Sequence, residues 1–414
     1  MKTRVMIMIL LAALLVVPLG TVHSRATAQD GESPLLRLLA AVPDTENTRE
    51  WVQFGDVAAW YAAWNIPRVP SLQALDFLPP VQHAYVVLLM PKQIAPPDAL
   101  GLDTLIQGDQ PAFYGFDFFD TERFIAAAYP PEDVVVVEHR ADAAEVGDVL
   151  VASGYEAETL AGDWTLYSIL GDYETAMATD IEMPFVGKLG QRNRIAIQGD
   201  RMIIGRATPP VSAALDVESG GTPSLAGNPA FAAAAQALGD PSLADTGPLV
   251  GAIMMAGPVL SDPVDAMLGG AATQEQRDAL LEELGELYAP GSLPVYDVVV
   301  FATTHSAETK ATYLTLSLAF PSGTDAQAAV DVLVERMETY VSGRTGAPMA
   351  ERWAFDRAAA VEVGGLPVAL VTMRVDDPSP ATDDSGRPNT AVLSWVDVLM
   401  TLDVGFLAAG EPEA

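Results

Sequence analysis

The hydrophobic pattern of the chain switches between two periods, 3.6 and 2, and the switches mark its elements. In "FGDVAAWYAAWNIP" the residues Val57, Trp60, Tyr61 and Trp64 recur at i, i+3, i+4 and i+7, one face of a helix. Ala58, Ala59, Ala62 and Ala63 fill the remainder, and Asp56 stands where a carboxylate caps a first turn. A helix with one aromatic face and otherwise only alanine is core. The competing reading, a ring platform for a ligand, would set its aromatics on loops or a sheet beside Asp, Asn or Arg. Leucines at helical spacing give Leu35 to Val42 a helical turn or two. Pro210 to Val217, Ala230 to Leu238 and Thr390 to Leu407 also read as helix. Thr273 to Ala289 is the clearest amphipathic helix, with Leu280, Leu281, Leu284 and Leu287 on one side and Thr273 with Gln276 resembling a capping box.

Two segments share an order of elements. "DVVVVEHRADAAEVGDVLVASGY" (133–155) and "TYLTLSLAFPSGTDAQAAVDVLVERMETY" (312–340) each give a strand, a polar turn and a helix opening near an aspartate, Asp142 or Asp325. Both helices hold Asp-Val-Leu-Val, at 148–151 and 331–334. Hairpin patterns follow in each half, with turns at Gly199-Asp200 and Gly364-Gly365. The pattern predicts an α+β fold of two similar subdomains, each an antiparallel sheet covered on one face by helices, descended from a duplication. Chance likeness between two α+β units remains the alternative. The turn-rich "GDPSLADTGP" (239–248) supplies the boundary. The expected division is a leader at 1–28, a first subdomain at 29–245 and a second at 246–410. The second carries an acidic loop at 376–389 and the C-terminal helix.

The first residues read as an export signal. Lys2 and Arg4 precede an apolar run from Val5 to Gly20, and Ala26-Thr27-Ala28 fits a signal-peptidase site, so cleavage is expected after Ala28. A retained anchor is the alternative, although the run is short of the roughly 20 residues that span a bilayer. The best later candidate span, Ala391 to Gly410, is broken by Asp397 and Asp403. The chain has no cysteine, which excludes a lipid anchor on cysteine and any disulfide framework. A secreted or extracytoplasmic protein stabilised by a packed core is the expectation.

Charge narrows the partners. With 55 Asp and Glu against 22 Lys and Arg, the formal net charge is −33. Such a surface is repelled by nucleic acid and by anionic polymers. Beyond the leader the only lysines are Lys92, Lys188 and Lys310. Solubility accounts for the acidity; attraction of cations or a basic partner is the sharper alternative.

Candidate chemistry is sparse. There is no Gly-x-Ser-x-Gly elbow, no Ser-x-x-Lys, and no phosphate-cradling glycine motif; Gly187-Lys188 is followed by Leu189. His83, His139 and His305 lie beside apparent strands with no metal-site spacing between them. A glycosidase-like pair needs only two carboxylates about 5–10 Å apart, and the sequence gives no ground for choosing one. Asp376, Asp377, Asp383 and Asp384 lack the alternation of a calcium loop. Lys188, Arg192 and Arg194 form the one basic cluster, suited to an anion or to the protein's own acids. No catalytic, cofactor-binding or metal residue is assigned, and no cofactor is expected.

Several phrases are similar to those of a family of exported bacterial proteins with a duplicated α+β body. They are "FGDVAAWYAAWNIP", "FYGFDFFDTERFIAA", "LVASGYEAETLAGDWTLYSI", and "AIQGDRMIIGRATPPVSAAL" leading to "SLAGNPAFAAAAQAL". The resemblance covers Leu35 to Leu238 and implies fold and export, since the family carries no assigned activity to transfer. The expected function is therefore an exported, non-catalytic binding or envelope-associated protein whose partner is a protein or envelope component, with no nucleic acid. The alternatives are a carboxylate hydrolase acting on glycans and a small-ligand or cation binder.

Overall fold

Strands with valine at every position cannot leave one face in water, and that dictates this architecture. Val134 to Val137 are all buried, as are all nine residues of Ala311–Ala319. Both faces of the sheet must therefore be covered. The computed structural model describes residues 33–100, 115–116, 118–174, 193–257, 273–278, 291–342, 346–351, 353–376, 394–400 and 403–410.

Among the described residues twelve antiparallel strands form one sheet: β1 (Val52–Asp56), β2 (Thr121–Ala127), β3 (Val134–His139), β4 (Glu156–Thr159), β5 (Thr165–Ser168), β6 (Arg194–Gln198), β7 (Arg201–Gly205), β8 (Leu249–Ala256), β9 (Val298–Ser306), β10 (Ala311–Ala319), β11 (Ala354–Val363) and β12 (Leu366–Asp376). Their order across the sheet is β11-β12-β10-β9-β8-β1-β2-β3-β7-β6-β5-β4. The two halves, expected to hold a sheet each, share this one. They meet where β1 pairs with β8, Val52 opposite Met254.

Helices lie on both faces, where the sequence pattern suggested one. Alternate residues of each strand point to opposite sides: Val298 and Val300 to one core, Val299 and Phe301 to another. The first core is closed by α1 (Pro34–Leu39) and by two helices of the chain's middle, Thr208–Glu218 and Pro229–Ala237. On the other face the first half is covered by α3 (Val57–Ala63), α6 (Met90–Ile94) and α7 (Ala143–Ala152), and the second half by α10 (Ala326–Thr339) and α11 (Trp395–Met400). Shorter pieces are α2 (Glu46–Glu50), α4 (Leu72–Leu75) and α5 (Pro80–Ala84); α8 is Thr208–Glu218 and α9 is Pro229–Ala237.

Local signals set the element ends. Asp142 and Asp325 each accept from the amides two and three residues on, opening α7 and α10. Gly364 and Gly365 take φ of 61° and 82°, the primed turn that a two-residue hairpin needs, and Val363 pairs with Leu366. Gln198 likewise pairs with Arg201 across Gly199-Asp200. The segment read as a turn-rich boundary holds a 3-10 helix, Pro241–Thr246, capped by Asp240. The last helix is shorter than expected: Trp395–Met400, followed by a 3-10 turn at Gly405–Leu407. Among the described residues no helix is long and apolar enough to cross a membrane. Acidic-loop residues 377–389 and the leucines of 280–287 lie outside the described residues.

Candidate functional site: an apolar ridge on the helical insertion

Between β1 and β2 the chain inserts a run of short helices, and Asp56 starts it. Its Oδ1 accepts the Ala59 amide at 2.7 Å and its Oδ2 accepts from Arg123 Nε at 2.7 Å. Burial pushes the Asp56 carboxyl up from its ordinary range, and the Arg123 guanidinium opposes that shift. The helix that follows buries Val57, Trp60 and Tyr61, so the aromatic face is core. Its fourth member, Trp64, is only partly buried and lies flat on the His305 ring, centroids 3.7 Å apart.

These rings are tied together by one amide. Gln93 Oε1 accepts from Trp60 Nε1 at 2.7 Å and from Trp64 Nε1 at 3.1 Å. Gln93 Nε2 donates to Thr312 Oγ1 at 3.3 Å, and Thr312 Oγ1 lies 3.1 Å from His305 Nδ1. Gln93, His305 and Thr312 are buried, and burial holds the imidazole down at about 4, hence neutral at pH 7. The clasp joins an α6 residue to β9 and β10. Beside it Lys92 Nζ meets Asp397 Oδ2 of α11 at 2.9 Å.

The outer side of the same insertion is apolar and in water. Val86, Leu89, Met90 and Ile94 turn inward, while Phe77 is 88 % exposed, Val81 59 %, Val87 41 % and Leu88 38 %. Phe77 sits in the turn after α4, Val81 on α5, and Val87 and Leu88 in a π-helical turn, Tyr85–Leu89, that links α5 to α6. Such turns are uncommon and frequent at functional sites. Between Asp56 and Asp98 the sequence has a single acid, Asp76, in a chain that has 55. The ridge is thus apolar and almost uncharged on an otherwise acidic protein. These four apolar side chains are the feature of the insertion that its burial pattern leaves unexplained.

The residues singled out in the sequence fall elsewhere. His83 lies on a helix, α5, rather than near a strand. His139 is buried at the end of β3 against the edge of Phe116, and burial lowers its pKa. Among the described residues no group of three or more His, Asp or Glu is placed to hold a metal. Arg194 is buried, donating to the carbonyls of Ile169 and Leu170 and meeting Asp172 at 3.1 Å, so it serves the protein's own acids; Lys188 and Arg192 lie outside the described residues. Thr273 and Gln276 do form the capping box.

Asp56 and Glu138 are two carboxylates brought onto one arginine. Arg123 stands between them, 2.7 Å from one and 3.1 Å from the other, and Glu138 also takes Arg37 at 2.9 Å. Arg123 on β2 thus ties β1 to β3, a brace between strands. A crevice of about 170 Å³ beneath the 3-10 helix 241–246 has one acid in its lining, Asp240.

No family model matches the chain, and no curated protein does. Among solved structures it is similar to crystal forms III and I of TP0453. Form III shares 8% identity over 81% of this chain and 92% of that one, with a TM-score of 0.35. Form I shares 8% over 82% and 92%, also at 0.35. A likeness that loose carries no argument about fold or function.

Proposed function

We propose that the protein is exported and acts as a non-catalytic binding protein that associates with an envelope component through the ridge of Phe77, Val81, Val87 and Leu88. The observation that carries this is the conjunction of exposed apolar side chains with an almost acid-free stretch, Val57 to Pro97. Water penalises that surface; an apolar partner relieves it. Docking all four side chains recovers the burial of about two whole ones, roughly 4 kcal/mol before the cost of association. The leader, with cleavage after Ala28, supports a location outside the cytoplasm.

The same reading takes the body as a duplicated unit of two similar subdomains. Strands β1-β2-β3-β7-β6 follow one another in space as β8-β9-β10-β12-β11 do. In each series a helix follows the third strand, capped by Asp142 or Asp325, with Asp-Val-Leu-Val beginning six residues later.

The test is capture from solubilised envelope with the chain from Gln29 onward, beside its Phe77→Ser, Leu88→Ser double variant, read by mass spectrometry. One component held by the parent and lost by the variant is expected. Equal capture by both, or none by either, overturns the reading.

A further inference from the structure

The two edges of the sheet are finished in opposite ways. At one end β4 has four residues, Glu156 to Thr159, all exposed and two of them glutamates. Short, charged edges resist pairing with another strand. At the other end β11 runs ten residues, with a bulge at Asp356 and then Arg357-Ala-Ala-Ala-Val-Glu-Val363 in regular register with β12. Its central stretch, Ala358 to Val361, carries no charge at all. An open edge of that length and composition is a template for an added strand.

Hydrogen-bond parity shows which groups it offers. The Phe320 amide donates to the Pro367 carbonyl, so Pro367 and Ala369 of β12 face β10, while Leu366, Val368 and Leu370 face β11. Their partners Val363, Val361 and Ala359 spend their backbone groups inward. Ala358, Ala360 and Glu362 therefore turn theirs outward. Among the described residues, nothing bonds them.

Side chains on the two faces of this edge differ in chemistry. Ala359, Val361 and Val363 pack toward the core that α9 closes. Glu362 shares the face of Ala358, which packs toward the core under α10, and α10 exposes Asp331, Glu335 and Glu338. One face of an incoming strand thus lies beside aliphatic carbons, and the other beside Glu362 on the side of the sheet where the acid-bearing α10 packs.

From these we infer that β11 accepts an extended segment of another protein whose residues alternate between aliphatic and Lys or Arg. The basic positions face α10 and the aliphatic ones lie beside Ala359 and Val361. A second copy of this chain fits worse, since it brings a further formal charge of −33. This surface is separate from the ridge, and the inference stands whether or not the ridge binds.

The test uses the chain from Gln29 onward and an acetylated, amidated octapeptide of alternating lysine and valine, with affinity measured by fluorescence polarisation. The critical variant is Ala360→Pro: it removes one outward amide while the inward ladder to β12 stays intact, which an edge strand tolerates. Binding by the parent is expected, weakened at least tenfold by Ala360→Pro at unchanged circular dichroism. Should that variant not fold, the parent is tested with the same peptide N-methylated on alternate amides, and the same tenfold loss is expected. Equal binding of the methylated peptide, or equal binding by a folded Ala360→Pro, shows mere attraction of charge and overturns the inference, as does no binding. A parent dimer in light scattering that Ala360→Pro abolishes also overturns it, assigning the edge to a second copy.

Discussion

Acid should weaken this fold through His305 in a way that a single variant isolates. The ring is buried between Trp64 and the sheet and holds its pKa down at about 4, against about 6.5 for the group in an unfolded chain. Between those two values the unfolded chain binds the proton and the folded one refuses it. The stability is therefore fully present above pH about 6.5 and is lost as pH falls toward about 4. The slope approaches 1.4 kcal/mol per pH unit, and the whole window is worth roughly 3 kcal/mol. Other groups titrate nearby: His139 is lowered by burial, while Asp56 and Asp133 are raised by it, with the opposite sign. Comparison with His305→Gln cancels them. Urea unfolding of both proteins at pH 7.5, 6.5, 5.5 and 4.5 should show the parent losing roughly 2–3 kcal/mol more than the variant. Parallel pH profiles would refute the assignment, and so would an imidazole that titrates near 6.5 by NMR.

Three further outcomes follow from the same contacts. Gln93→Leu strips the acceptor from two indole N–H groups, of which Trp60's is buried; a loss of about 2–4 kcal/mol is expected in urea unfolding, against under about 1 for Thr312→Val. Asp142→Ala and Asp325→Ala each remove a cap that serves two amides, so each should lower stability by about 1 kcal/mol, and together about twice that, measured by thermal unfolding. Gly251→Ala would drive a Cβ onto the Gln93 carbonyl oxygen, backbone against backbone; a loss above about 2 kcal/mol, or altered Trp fluorescence as α6 shifts, is expected.

What the sequence made legible was local. Asp56, Asp142 and Asp325 as caps, the Gly199-Asp200 and Gly364-Gly365 turns, and the aromatic face of α3 each follow from neighbours in the chain, and each is present. The single sheet was not legible, because β1 and β8 join residues two hundred positions apart and nothing near either strand encodes that partner. Cover on both faces was readable in Val134 to Val137, where alternation is missing. The ridge was hidden for the reverse reason. Residues 84–91 run from Ala84 to Pro91 without a charged side chain, so periodicity there cannot say which face is outside. The signal that was available is the thinning of acids between Asp56 and Asp98.

That thinning also explains how the ridge is held. The insertion carries few charges; Arg68 ties it to Glu122 of β2 within its own half, and further anchors come from the other half of the chain. Gln93 reaches Thr312, Trp64 stacks on His305, and Lys92, the insertion's one lysine, pairs with Asp397. Gly251 of β8 lets the backbone of α6 lie directly on the seam between the halves. The segment that exposes Phe77 and Leu88 thus belongs to the first half and packs in its core, and is tied to the second half as well. The clasp fixes α6 at the seam, and α6 runs on directly from the π-helical turn that exposes Val87 and Leu88.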